Sequence, residues 1–349
     1  MGLGNSLQTA QAGGAGGPSV GGWVELGRTT LGSANSDMDV TGLADKRYLM
    51  ILGDFQSPSG SEIPYLRMGN GSFDSGNNYA SRASYNGGSD YTNSSGHNCH
   101  YRGAGLGGNP HFDVGYITNL SGEENLGQWW NVDCSAGPSA APGRDEGSFK
   151  HVFTSNPIDQ IQRTSLGSVT YASGSEVVVL GWDPADDHTT NFWTELASVD
   201  LSGGAASSLD SGTILAKKYL WVQMLMEQSA DSDYPLRFNS DSGANYTYTY
   251  RTNGGTEFNH TSRTGMYVRS TTANLPVFVN MFIVNTSANE KLIIEHDIKS
   301  NTAGAGNGPL RTEQVGKWAN TSAQITSVQL HSGSGNLASK TIMKIWGSD

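Results

Sequence analysis

Cysteine is scarce: Cys99 and Cys134 are the only two in 349 residues. A small secreted scaffold stapled by disulfides carries many more at regular spacing, so packing has to hold this fold. The two could pair, but nothing requires it. Charge is sparse as well, at 15% of residues, with a net charge of −11. No block of Lys or Arg offers itself to a phosphate backbone, which argues against nucleic-acid binding. No apolar run approaches the roughly 18 residues of a membrane-spanning helix, so no membrane partner is expected. The start, Met1-Gly-Leu-Gly-Asn-Ser6, lacks the basic and apolar regions of a secretory signal. It fits the myristoylation pattern, Gly2 with Ser6, a match that comes cheaply in a Gly/Ser-rich tail. Asn-x-Ser/Thr triplets at Asn70, Asn93, Asn245, Asn259 and Asn285 arise from composition, and none reads as glycosylated.

What is abundant is glycine, 46 residues, together with apolar runs of strand length such as Tyr48 to Leu52 (YLMIL) and Val177 to Leu180 (VVVL). Such runs recur along the chain, which excludes wholesale disorder.

Laid against itself at offsets of 164 to 171 residues, the chain repeats short blocks in the same order. Trp23-Val-Glu25-Leu26 returns as Trp193-Thr-Glu195-Leu196, and Lys46-Arg47-Tyr48-Leu49 as Lys217-Lys218-Tyr219-Leu220. Asp74-Ser75-Gly76, Asn78-Tyr79 and Asn86-Gly87-Gly88 return with identical spacing as Asp241-Ser242-Gly243, Asn245-Tyr246 and Asn253-Gly254-Gly255. Asn119 aligns with Asn285, and each copy closes on an apolar strand ending in Trp, at Trp182 and Trp346. The period is that of a domain, not of a solenoid repeat. The expected organisation is a flexible Gly/Ser-rich arm at 1–21, one domain at 22–182, a polar linker at 183–190 and its duplicate at 191–349.

Strand signals are frequent and helix signals scarce. In the second copy they predict strands at Tyr219 to Glu227, Leu236 to Ser240, Asn245 to Thr252, Met266 to Ser270, Val277 to Asn285, Leu292 to Lys299, Ile325 to His331 and Thr341 to Trp346. Asn-Gly-Gly punctuation suits hairpin turns. The expected fold class is all-β: tandem duplicated antiparallel β-sandwiches, jelly-roll-like, with an immunoglobulin-like sandwich second because the copies are too long for it.

No constellation for catalysis stands out. Glu25, Asp54, Glu123 and Asp133 are the candidate acids of the first copy, and no strand carries the closely spaced inward pair of a glycosidase. Glu25 and Glu195 occupy matched positions, which reads as structural. His97, Cys99, His100 and His111 are zinc-type ligands without a second ligand pair, and the second copy lacks them. Asn35, Asp37 and Asp39 alternate like calcium ligands, but position twelve of that loop is Lys46. No nucleophile elbow is present, and the Gly-rich stretch 103–108 lacks the Lys-Ser/Thr of a phosphate cradle. The reading is a non-enzyme with no catalytic residue, cofactor or metal.

Aromatic residues are the remaining signal. Tyr246, Tyr248 and Tyr250 alternate on one strand and share a face, either core, subunit interface or sugar platform. Trp129 and Trp130 are adjacent and point to opposite faces, which puts one of them at the surface or an interface. These five are the interface or ligand-face candidates.

The Gly/Ser-rich arm MGLGNSLQTAQAGG, the duplicated sandwich and the closing strands SGSEVVVLGW and SKTIMKIWG together resemble jelly-roll virion structural proteins of tailed bacteriophages. The resemblance implies a non-enzymatic protein in the virion that oligomerises, commonly as a trimer, and serves as a capsid decoration or cement protein or as a tail or fibre component. Other readings are a double jelly-roll major capsid protein and a tandem carbohydrate-binding, lectin-like module, whose two copies would give avidity. The first overlaps the last where a fibre binds host glycans. Few Lys or Arg guard the sandwich edges, so another chain or loop is expected to cover them, and 1–21 is the expected attachment to other virion proteins.

Overall fold

The computed structural model describes residues 22–56, 58–60, 64–96, 99–100 (backbone only), 108–152, 155–165, 169–186, 190–227, 229–268, 273–300 and 304–349. The expected arm at 1–21 and most of the Gly-rich stretch 103–108 lie outside them. Every regular element among them is a β-strand.

The first half holds β1 (Val24–Thr30), β2 (Asp37–Thr41), β3 (Tyr48–Phe55), β4 (Pro64–Gly69), β5 (Tyr79–Tyr85), β6 (Tyr91–Gly96), β7 (Cys99–His100), β8 (His111–Thr118), β9 (Asn125–Asp133), β10 (Gly143–His151), β11 (Gln160–Ser165) and β12 (Glu176–Trp182). The second holds β13 (Thr194–Asp200), β14 (Ser208–Asp210), β15 (Tyr219–Met226), β16 (Tyr234–Phe238), β17 (Tyr246–Thr252), β18 (Glu257–Arg263), β19 (Met266–Val268), β20 (Val277–Val284), β21 (Lys291–Lys299), β22 (Leu310–Trp318), β23 (Val328–His331) and β24 (Ile342–Ser348).

Pairing is antiparallel throughout, and the halves have the same topology. An eight-stranded sheet runs β1-β12-β3-β8-β9-β10-β5-β6 opposite a four-stranded sheet β2-β11-β4-β7; in the second half every label advances by twelve. Set aside the hairpins β5–β6 and β9–β10, renumber the remaining eight strands, and the sheets read 1-8-3-6 and 2-7-4-5. That is the nested Greek-key order of a jelly roll, widened on one sheet by four strands. Among the described residues each half is therefore a twelve-stranded jelly roll, larger than the eight or nine strands the sequence indicates.

The matched blocks are matched structures. Asp74 accepts from Gly76 N and Asn78 Nδ2, as Asp241 does from Gly243 N and Asn245 Nδ2. The hydroxyls of Tyr79 and Tyr246 each bond back to the preceding strand, at Met68 and Phe238. Asn86-Gly87 and Asn253-Gly254 both take positive φ at two successive positions, the type I′ geometry that Asn-Gly tolerates.

One match shifts. Trp182 pairs with Tyr48, whereas Tyr219, the equivalent of Tyr48, pairs with Ser348; Trp346 stands where the first roll has Leu180. Glycine sets this register. A Cβ on Gly181 would meet Leu26 at 2.5 Å, and one on Gly347 would meet Leu196 at 2.7 Å, so the repeated leucine fixes the repeated glycine and the tryptophans fall out of step.

Each roll has its own core between its two sheets: Met38, Leu66, Met68, Trp129 and Ile161 among others in the first, and Leu236, Tyr246, Met281, Trp318 and Leu330 in the second. A third core joins the rolls. Met50, Leu52, Phe112, Val114, Val132, Val178 and Leu180 from the outer face of the first large sheet pack with Tyr219, Phe282, Val284, Leu292, Ile294 and Val315 from that of the second. The sheets thus stack small, large, large, small. Strands β3 and β12 are covered on both faces, which is why they read as unbroken apolar runs rather than alternating ones.

Candidate functional site

Along a strand alternate side chains share a face, so the outer face of the first large sheet collects Tyr48 from β3, Tyr116 from β8, Gln128 from β9, Ser148 from β10 and Trp182 from β12. Register brings the rings together. Trp182 lies opposite Tyr48, and the two stack with centroids 5.4 Å apart and planes 21° apart. Trp23, just before β1, closes over them at 6.1 Å from Tyr116 and 6.5 Å from Trp182. With Thr118, Leu126, Gln128 and Ser148 these rings line a groove of about 480 Å³. Among the described residues no charged side chain lines it.

The second roll has the same face and spends it differently. By strand register Tyr219, Phe282, Val284, Ile294 and Val315 stand where the first roll has Tyr48, Tyr116, Thr118, Gln128 and Ser148. All five belong to the core between the rolls. The groove is the part of the repeated face that the other roll leaves uncovered.

Ion pairs bind the rim of the seam. Arg144, 3% exposed, reaches Glu146 at 2.9 Å, Glu257 at 3.0 Å and Glu313 at 3.7 Å. Arg251 takes Glu146 and Glu313 from the other side. Lys317 bonds Glu290 at 2.9 Å and the Ser135 carbonyl across the seam. Lys218 sits 3.1 Å from both Asp54 and Glu176. Burial raises the Asp54 carboxyl against the pull of Lys218; for Glu176 burial acts upward too, but Lys218, Thr30, Arg28 and Tyr219 together hold it below its usual range. Two carboxyls with pKa values pushed apart are the setting of acid–base catalysis. Here, however, their oxygens are engaged by Gln56, Thr286, Lys218, Thr30 and Tyr219, so the pair serves the seam.

Trp130 and His296, which are equivalent positions, meet at 5.1 Å. Burial lowers the His296 imidazole to about 4, so it is neutral against the indole at ordinary pH. Beyond this contact the sheets part around a crevice of about 460 Å³, lined by Glu146, Arg251, Ile298 and Glu313 among others. The groove opens onto it through Gln128 and Ser148.

Of the residues singled out in the sequence, Trp130 is at the seam and Trp129 is fully buried in the first core. Tyr246, Tyr248 and Tyr250 are 0, 2 and 5% exposed in the second core. Their shared face is the inner one, turned toward β16 and β19, so they present no platform to a sugar or a partner. His97 lies outside the described residues, as do the side chains of Cys99 and His100. His111 is buried and stacked on Phe55 at 4.2 Å, and burial depresses its pKa. Cys134 is a buried free thiol. Asp39 accepts from Gln162, Glu25 pairs with Arg28 and Glu195 with Lys344, all structural roles. Trp23, Tyr48, Tyr116 and Trp182 escape sequence reasoning because they come from four separate segments; the signal available was Trp23, Tyr48 and Trp182 recurring in the repeat.

The strand order defines the class: a tandem pair of widened jelly rolls. No family model and no curated protein matches the chain. Among solved structures, domains LG4-5 of the mouse laminin alpha1 chain match at 12% identity, over 94% of this chain and 90% of that one, with a TM-score of 0.20, too low to carry an argument.

Proposed function

We propose that this chain is a non-enzymatic structural protein of a tailed-bacteriophage virion that oligomerises and attaches to the particle as a decoration, tail or fibre component. The observation that carries the assembly part is an open apolar face on the second roll. Leu225, Phe278, Ile298 and Ile342 are 41, 43, 53 and 40% exposed. By register they occupy the positions of Asp54, Phe112, Val132 and Glu176, which in the first roll are buried, with the second roll packed over them. A face whose counterpart receives a jelly roll of this same chain is suited to a second copy. The saturated Asp54–Glu176 pair supports a non-enzymatic role, and the arm and closing strands support the virion setting.

Light scattering tests assembly. The unmodified protein is expected as a symmetric oligomer, a trimer by resemblance, and the double substitution Leu225→Lys with Phe278→Lys as a monomer that still unfolds cooperatively. A monomeric unmodified protein overturns the assembly reading. Absence of the chain from purified particles, read by mass spectrometry, overturns the virion reading.

A further inference from the structure

From the chemistry of the groove on the first roll we infer that it is a binding site for a neutral oligosaccharide. The rolls supply their own comparison. Where this face docks on protein, in the second roll, aliphatic side chains surround the aromatic base: Val284, Ile294 and Val315. Where it is open, in the first, the same positions carry Thr118, Gln128 and Ser148, and Tyr116 replaces Phe282. The aromatic base is kept and enlarged by Trp182, which stands where the second roll has Ser348.

Rings edged by neutral hydrogen-bonding groups suit a sugar, whose C–H faces stack on aromatic surfaces while its hydroxyls need donors and acceptors. Thr118 Oγ1 is engaged with the backbone of Leu126. Gln128 and Ser148 are exposed and have no partner among the described residues, so an amide and a hydroxyl remain for a ligand. The uncharged lining and the net charge of −11 disfavour an anionic glycan. The volume admits a sugar unit packed beside the Tyr48–Trp182 stack, with the chain continuing past Gln128 toward the crevice.

Because the second roll buries its version of this face, the site occurs once per chain, and the avidity of a tandem module is not available within one molecule. The inference stands independently of the virion reading, since a glycan site serves a fibre and a free binding protein alike.

The test is titration of the full-length protein with maltoheptaose, cellohexaose and chitohexaose, read by tryptophan fluorescence and by calorimetry. At least one is expected to bind saturably at one site per chain, indifferent to salt. Trp182→Ala is expected to weaken binding by about tenfold or more, and Gln128→Ala by several-fold, with cooperative unfolding kept and mass in solution unchanged. No saturable binding to any of the three overturns the inference, as does binding that Trp182→Ala leaves intact. A change of oligomeric mass in Trp182→Ala also overturns it, because the groove is then a protein contact. Loss of assembly in the Leu225→Lys, Phe278→Lys variant, whose positions line neither the groove nor the crevice, with sugar binding retained separates the two proposals.

Discussion

Asn119 and Asn285 show how much one side chain can organise. Asn285 donates to the carbonyls of Lys217 and Ile325 and accepts from Ile325 N; Asn119 does the same with Lys46 and Ile158. Each ties the end of a large-sheet strand to the loop entering the small sheet, within a buried setting where unpaired backbone groups are costly. Replacing Asn285 by Ala strands one N–H and two carbonyls. Denaturant titration is expected to show a loss of about 2–4 kcal/mol, with Asn119→Ala similar. A loss below the level of a surface substitution would show that water replaces the amide freely. The same burial keeps Asn285 from glycosylation despite its Asn-Thr-Ser sequence.

Among the elements, the closing strands β12 and β24 depend on a glycine meeting a leucine. Gly347→Ala places a methyl 2.7 Å from Leu196 Cδ1 and 2.9 Å from Lys217 Cβ, so it is expected to cost about 1–3 kcal/mol. Leu196→Ala in the same molecule is expected to recover part of it, a non-additivity that a double-mutant cycle measures. The element scale also shows what a sequence can disclose. The eight strands read from the second copy all exist, because each carries an apolar run or a β-branched alternation. Strands β13, β14, β18 and β22 were not legible: β13 and β18 are polar edges, β14 has three residues, and β22 (LRTEQVGKW) puts Arg311, Glu313 and Lys317 on its outer face, where Glu313 and Lys317 join the seam pairs rather than water. The groove was illegible for a related reason. Its rings are adjacent only through pairing partners distant in sequence, and no local period reports those.

At the scale of the whole molecule, buried acids set a pH dependence. Burial raises Asp113 to about 7 despite Arg163, and Asp133 and Asp297 to about 6, from an ordinary 3.8. Groups with folded values above their unfolded ones favour the folded state while protonated, so their contribution is lost as pH rises from about 4 to about 7. Glu176 and Glu313 have lowered values and act oppositely, losing their contribution only as pH falls below the ordinary glutamate range. His111 and His296, depressed by burial, oppose these acids and favour the folded state as pH rises to about 6.5, so thermal melts are expected to decline only from about pH 6.5 to 8, where Asp113 still titrates and the histidines no longer do. A melting temperature that rises steadily from pH 6.5 to 8 would contradict the Asp113 assignment. The seam carries a different consequence, one of timing. The first roll leaves the ribosome before the second, and until residues 219–315 have followed, Met50, Leu52, Val114, Val178 and Leu180 have nothing to cover them. For that interval the nascent chain is a finished jelly roll with an adhesive side, and polysomes making many copies at once bring such sides close together. A message truncated after the first copy would turn that passing exposure into a permanent one.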